Sequence, residues 1–120
     1  MLLNDFYTCH EPVANAHEFG CRIGFNEGHS IFKGHFPGNP IVPGVCMMEM
    51  VKELLQEQVK TPLLLRTSGN IKFLQLIKPD FTPHIKIEWK DAANEGYAVK
   101  AQLYGDGIVY FKLDGVYERA

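Results

Sequence analysis

The chain has 120 residues, with 12 Lys plus Arg against 14 Asp plus Glu and a formal net charge of -2. That balance excludes a broad basic field, so no nucleic-acid partner is expected; 46% hydrophobic and 22% charged residues exclude wholesale disorder. No apolar run approaches the roughly 18 residues of a membrane span, and MLLNDFYTCHEP lacks a basic region followed by an apolar core, so neither a span nor a secretory leader is expected.

The length suits one domain, residues 1–120, with a modest core that a partner subunit would help to complete. Cys9, Cys21 and Cys46 form no close pair along the chain and read as reduced thiols, which places the protein in the cytoplasm.

The first organised stretch is 12–25, where Phe19, Cys21, Ile23 and Phe25 alternate with Gly20, Arg22 and Gly24 as in a half-buried strand. Asn26-Glu27-Gly28 breaks it. Residues 30–44, SIFKGHFPGNPIVPG, hold three Pro and three Gly among fifteen residues, which argues against an ordinary helix or central strand. Ile31, Phe32, Phe36, Ile41 and Val42 make the same stretch greasy, so a loop packed on the body is expected.

VCMMEMVKELLQEQV then reads as one helix with Pro43 near its start. At about 100° per residue, Met47, Met50, Val51, Leu54 and Leu55 share a face with Met48 at its edge. Val45 and Cys46 make the first turn apolar nearly all round, so that end is expected to be enclosed; Lys52, Glu53, Gln56 and Glu57 are expected to be wet. Thr61-Pro62 marks the end. Strands follow at 63–66, 69–77, 85–90, 97–104 and 108–117, with turns at Pro79-Asp80, 91–96 and Gly105-Asp106-Gly107. One helix packed on a curved antiparallel sheet satisfies that order.

Three residues could carry chemistry. His35 sits between Gly34 and Phe36-Pro37: it is either a hydrogen-bonded loop residue or a neutral imidazole able to accept a proton. Glu49 lies opposite the apolar face, which suits a solvated carboxylate; among Met47, Met48 and Met50, desolvation would instead hold its proton and make it an acid. Gly44 permits a tight entry into the helix, or lets a substrate oxygen reach free backbone N–H groups. His10, His17, His29 and His84 are dispersed and make no metal site with the cysteines, and GNPIVPG lacks the lysine and hydroxyl of a phosphate loop.

FKGHFPGNPIVPGVCMMEM resembles the signature of beta-hydroxyacyl-acyl-carrier-protein dehydratases of the hotdog superfamily. The resemblance implies an α+β fold, a long central helix wrapped by a curved antiparallel sheet. It implies His35 and Glu49 as catalytic residues, and backbone N–H groups at Gly44 and Val45 as binders of the thioester oxygen. Phe36, Met48 and Phe73 are candidate linings of the acyl pocket. The implied reaction converts a 3-hydroxyacyl thioester to a trans-2-enoyl thioester with no metal or other cofactor. The implied partners are an acyl carrier protein with a phosphopantetheine-linked substrate and a second copy of the chain, His35 of one facing Glu49 of the other; assembly of such homodimers into a trimer of dimers stays open. Lys33, Arg66, Lys72 and Lys78 could make a basic rim for the acidic carrier. Two departures from the pattern stand out: no Gly separates Pro79 from Asp80, and Glu53 replaces a Gln expected to help organise the site. An acyl thioesterase and a noncatalytic acyl-binding subunit are the competing readings.

Overall fold

A computed structural model describes residues 1–34 and 36–120. The mixed α+β architecture contains a six-stranded antiparallel sheet. In chain order the elements are β1 (Tyr7–Asn15), β2 (Glu18–Phe25), α1 (Ser30–Gly34), α2 (Gly44–Val59), β3 (Leu63–Phe73), β4 (His84–Ala92), β5 (Gly96–Gly105) and β6 (Ile108–Arg119). The spatial order is β1-β2-β4-β5-β6-β3, so β3 forms one edge.

Alternation places Phe19, Cys21 and Ile23 of β2, Ile85, Ile87 and Trp89 of β4, Val99, Ala101 and Leu103 of β5, and Phe111, Leu113 and Tyr117 of β6 in one core. The 16-residue α2 adds Cys46, Met47, Met50, Val51, Leu54 and Leu55 to it. The helix closes at Lys60, whose left-handed backbone (φ 58°) turns its N–H onto the Gln56 carbonyl at 2.8 Å. The Gln56 side chain then accepts the N–H of Leu63 at 2.8 Å, which aims the chain into β3.

Several boundaries differ from the sequence reading. The first strand is a hairpin, because the chain reverses at Ala16-His17 and β1 pairs with β2. That register sets Cys9 opposite Ile23, bringing its thiol beside Cys21, so two cysteines remote in sequence are neighbours and both are free. A short helix stands within the Pro/Gly stretch. His29 makes it possible: Nδ1 accepts the N–H of Ile31 at 3.1 Å while Nε2 meets Asp5 at 3.1 Å. The segments expected at 63–66 and 69–77 are one strand that ends at Phe73, its polar middle absorbed by register shifts between Leu65 and Thr67 and between Ser68 and Asn70. Beyond it, the N–H of Val42 bonds to the carbonyl of Ile77 at 2.8 Å and ties the Pro-rich loop to the body. Ile41, Val42 and Pro43 are buried, as a packed loop requires.

Glu53 overturns the expectation of a wet helix face. It is 1% exposed. Its Oε2 accepts the N–H of Leu2 at 2.7 Å, and its Oε1 accepts the N–H of Leu3 at 2.9 Å and the hydroxyl of Tyr7 at 3.0 Å. Three donors on two acceptor oxygens replace the lost water shell. Glu53→Gln would turn an amide donor toward one of those N–H groups. The expected cost is about 2 kcal/mol, read as a lower urea midpoint, with the fastest hydrogen exchange gained at Leu2 and Leu3.

Burial also sets the alkaline limit. It pushes up the Tyr7 hydroxyl, with Glu53 adding to the effect; it raises Tyr117 to about 12, with Glu49 adding; and it raises the thiols of Cys21 and Cys46. The folded state therefore keeps protons that the unfolded chain releases. Stability from these groups is fully present below about pH 9 and falls as pH rises toward 12, so urea midpoints measured across that range should decline steadily.

Candidate active site

The entry into α2 is built by Pro43, the residue before the first helical turn, whose carbonyl accepts the N–H groups of Cys46 at 3.0 Å and Met47 at 3.2 Å. Among the described residues no side chain caps this end. Among the described residues the N–H groups of Gly44 and Val45 take no hydrogen bond, so two donors at the positive end of the helix dipole remain open.

Gly44 has a second reason to lack a side chain. A Cβ there would lie 2.7 Å from Cε1 and 2.9 Å from Cζ of Phe73, so the ring occupies the space a side chain would need. Phe73 is 54% exposed and leans on Phe111, with ring centroids 5.3 Å apart. Gly44→Ala must swing that ring away from the helix start. The expected loss is about 1 kcal/mol, measurable by thermal unfolding, and it should largely vanish when Phe73 is already Ala.

Glu49 lies on α2 one turn beyond Val45. With Val45, Met48, Lys52, Leu64, Leu65 and Tyr117 it lines a pocket of about 250 Å³. Its side chain is 38% exposed, and the Lys52 ammonium stands 3.5 Å from Oε1. The sequence reading placed this helix end in an enclosure; within this chain it is open, with Val45 74% exposed. Val45, Glu49 and Glu53 form one stripe at four-residue spacing, open at its start and sealed at its end. The difference is the Leu2–Tyr7 segment, which covers only the later turn.

The remaining expected residues divide. Met48 lines the Glu49 pocket; Phe73 packs at Gly44; Phe36 is 53% exposed and lines no part of the Glu49 pocket. His35 lies outside the described residues. The Glu53 side chain is committed to the N-terminal segment and lines none of the Glu49 pocket. Of the basic residues, Arg66 faces Glu118 at 3.4 Å, and Lys72 stands directly opposite Lys112 on β6. Tyr117 was missed by sequence reasoning, because it lies far along the chain in β6 and only sheet pairing brings it to the helix. A larger hollow of about 550 Å³ opens among β3, β4, β5 and β6 near Ser68, Trp89 and Gly115, away from the signature residues. Among the described residues no group of three His, Cys, Asp or Glu could hold a metal ion, and no helix is long and apolar enough to cross a membrane.

Residues 11–107 match the model of the ApeI-like family, described as ApeI dehydratase. The chain belongs to the ApeI-like family. It is also similar to 3-hydroxyacyl-[acyl-carrier-protein] dehydratases FabZ. The protein from Latilactobacillus sakei is 32% identical over 114 residues, with 82% of this chain and 76% of that one covered. The protein from Protochlamydia amoebophila is 34% identical over 79 residues, covering 61% of this chain and 51% of that one. The chain thus spans about half the length of that relative. Among solved structures, the dehydratase heterocomplex ApeI:P from Xenorhabdus doucetiae superposes with a TM-score of 0.72 at 21% identity, covering 91% of this chain and 99% of that one. A thioesterase superfamily protein from Shewanella loihica gives 0.62 at 11% identity, covering 92% and 90%. These likenesses show a hotdog-like fold.

Proposed function

We propose that residues 1–120 form one hotdog dehydratase-like domain, α2 being the central helix wrapped by the sheet, and that it dehydrates a 3-hydroxyacyl thioester to a trans-2-enoyl thioester. The observation that carries this reading is the first two turns of α2. Two N–H groups, at Gly44 and Val45, that take no hydrogen bond among the described residues stand one turn from a carboxyl group that lines a largely apolar pocket.

Those donors suit a thioester oxygen that gains negative charge when a C2 proton leaves. In the proposed reaction His35 takes the C2 proton, and the C2–H electron pair forms the C2=C3 bond. Glu49 gives its proton to the C3 hydroxyl, which departs as water with the C–O electron pair. The balance needs no oxidant or reductant; transfer of the C2 proton from His35 to Glu49, directly or through solvent, resets the pair.

A second subunit fits the same reading. Val45 is 74% and Leu64 54% exposed where they share a pocket at the edge strand β3, apolar surface that a partner would cover. The proposal is a dimer in which each chain's His35 meets the other's Glu49. The dehydratase of Xenorhabdus doucetiae is a heterocomplex, which makes a related but different chain the competing partner. An acyl carrier protein is the proposed donor of substrate, and the cytoplasm, where three free thiols stay reduced, the proposed location.

Purified protein incubated with carrier-bound 3-hydroxyacyl thioesters of several lengths should yield the enoyl product, resolved by mass; release of free thiol without it would mark a thioesterase instead. His35→Ala and Glu49→Gln should each lower the rate by about 10³-fold. Mixed and re-associated, the two variants should regain about a quarter of wild-type activity, because half the dimers pair unlike chains and each of those keeps one intact site. No regain would exclude sites shared between copies.

A further inference from the structure

Tyr117 is held deep in the sheet, opposite Leu65 on β3 and Tyr97 on β5, and is only 1% exposed. Its hydroxyl makes no hydrogen bond to any described residue. Yet it is not a sealed, unsatisfied oxygen, and the residue lines the Glu49 pocket. A buried phenol with an uncommitted hydroxyl, lining one small pocket, is placed to serve a group held in that pocket.

The charged groups lining that space are Glu49 and Lys52, both on α2. The lysine ammonium stands 3.5 Å from the carboxyl group, and both residues line the pocket. The negative charge of Glu49 is felt at the phenol, which holds its proton up to about 12 through burial first and Glu49 second. A phenol at that value stays a donor throughout the working range of an enzyme.

We propose that Tyr117 is a positioning residue for Glu49, donating a hydrogen bond to the carboxylate left when Glu49 gives up its proton and so competing with Lys52 for it. This rests on the reading of Glu49 as the proton donor. The phenol itself touches no reacting atom. It offers that carboxylate a second partner beside Lys52, across the pocket that all three residues line.

The test combines kinetics with a measurement that needs no turnover. Tyr117→Phe keeps the ring and should lower kcat about tenfold while KM changes less than about twofold, the size expected for one hydrogen bond to a charged group. On a Glu49→Gln background the same change should add nothing, whereas a merely structural role would multiply the two losses. In protein labelled at tyrosine Cζ, the carbon-13 signal absent from Tyr117→Phe should move in Glu49→Gln, and the other tyrosine signals should stay in place. An unmoved Tyr117 signal, or independent kinetic losses, would overturn the proposal. Should the wild type dehydrate none of the thioesters, the dehydratase reading falls, and the carbon-13 signal still decides whether phenol and carboxylate meet.

Discussion

A carboxylate sealed in an apolar core is tolerated only where fixed donors replace its water, and the later half of α2 rests on that condition. Glu53 has no described cation within salt-bridge reach; two backbone N–H groups and a phenol hold it instead. The arrangement links the N-terminal turn, the start of β1 and the middle of α2 in one polar knot inside the core. Rotation of α2 about its axis is thereby restricted, and with it the direction in which the residues one and two turns earlier project.

The same helical stripe then serves two opposite purposes. At its end the stripe is covered by the chain's own first residues. At its start it carries Val45 and Glu49 into an open pocket beside the edge strand β3. A desolvated acid and an accessible one, four residues apart on one helix face, differ only in what lies over them. Glu49 stays reachable, and Glu53, which holds structure, is saturated with donors.

The helix start combines two needs in few atoms. Pro43 offers its carbonyl to two N–H groups and has no N–H of its own, while Gly44 admits the Phe73 ring and adds an open donor. Ring packing and an open donor therefore share one dipeptide. A family signature of small, rigid residues is what such a junction calls for.

Much of this was legible before any coordinates. The run 45–59 showed a helix because its apolar residues recur at helical spacing, and β4, β5 and β6 showed in their residue patterns, whereas β3 read as two separate segments. The resemblance of the signature to the dehydratase family pointed to His35, Glu49, Gly44 and Val45 as the candidate site. What stayed hidden were facts of long-range contact. The burial of Glu53 depends on Leu2, Leu3 and Tyr7, some fifty residues away along the chain; the nearness of Cys9 to Cys21 depends on the register of a hairpin; and Tyr117 reaches the Glu49 pocket only because β6 lies beside β3. Periodicity within one segment determined which face of α2 is apolar and which residues begin the helix. Only the tertiary structure decided which polar group on the remaining surface is covered and which is left to react, because burial is a property of what another part of the chain brings over it.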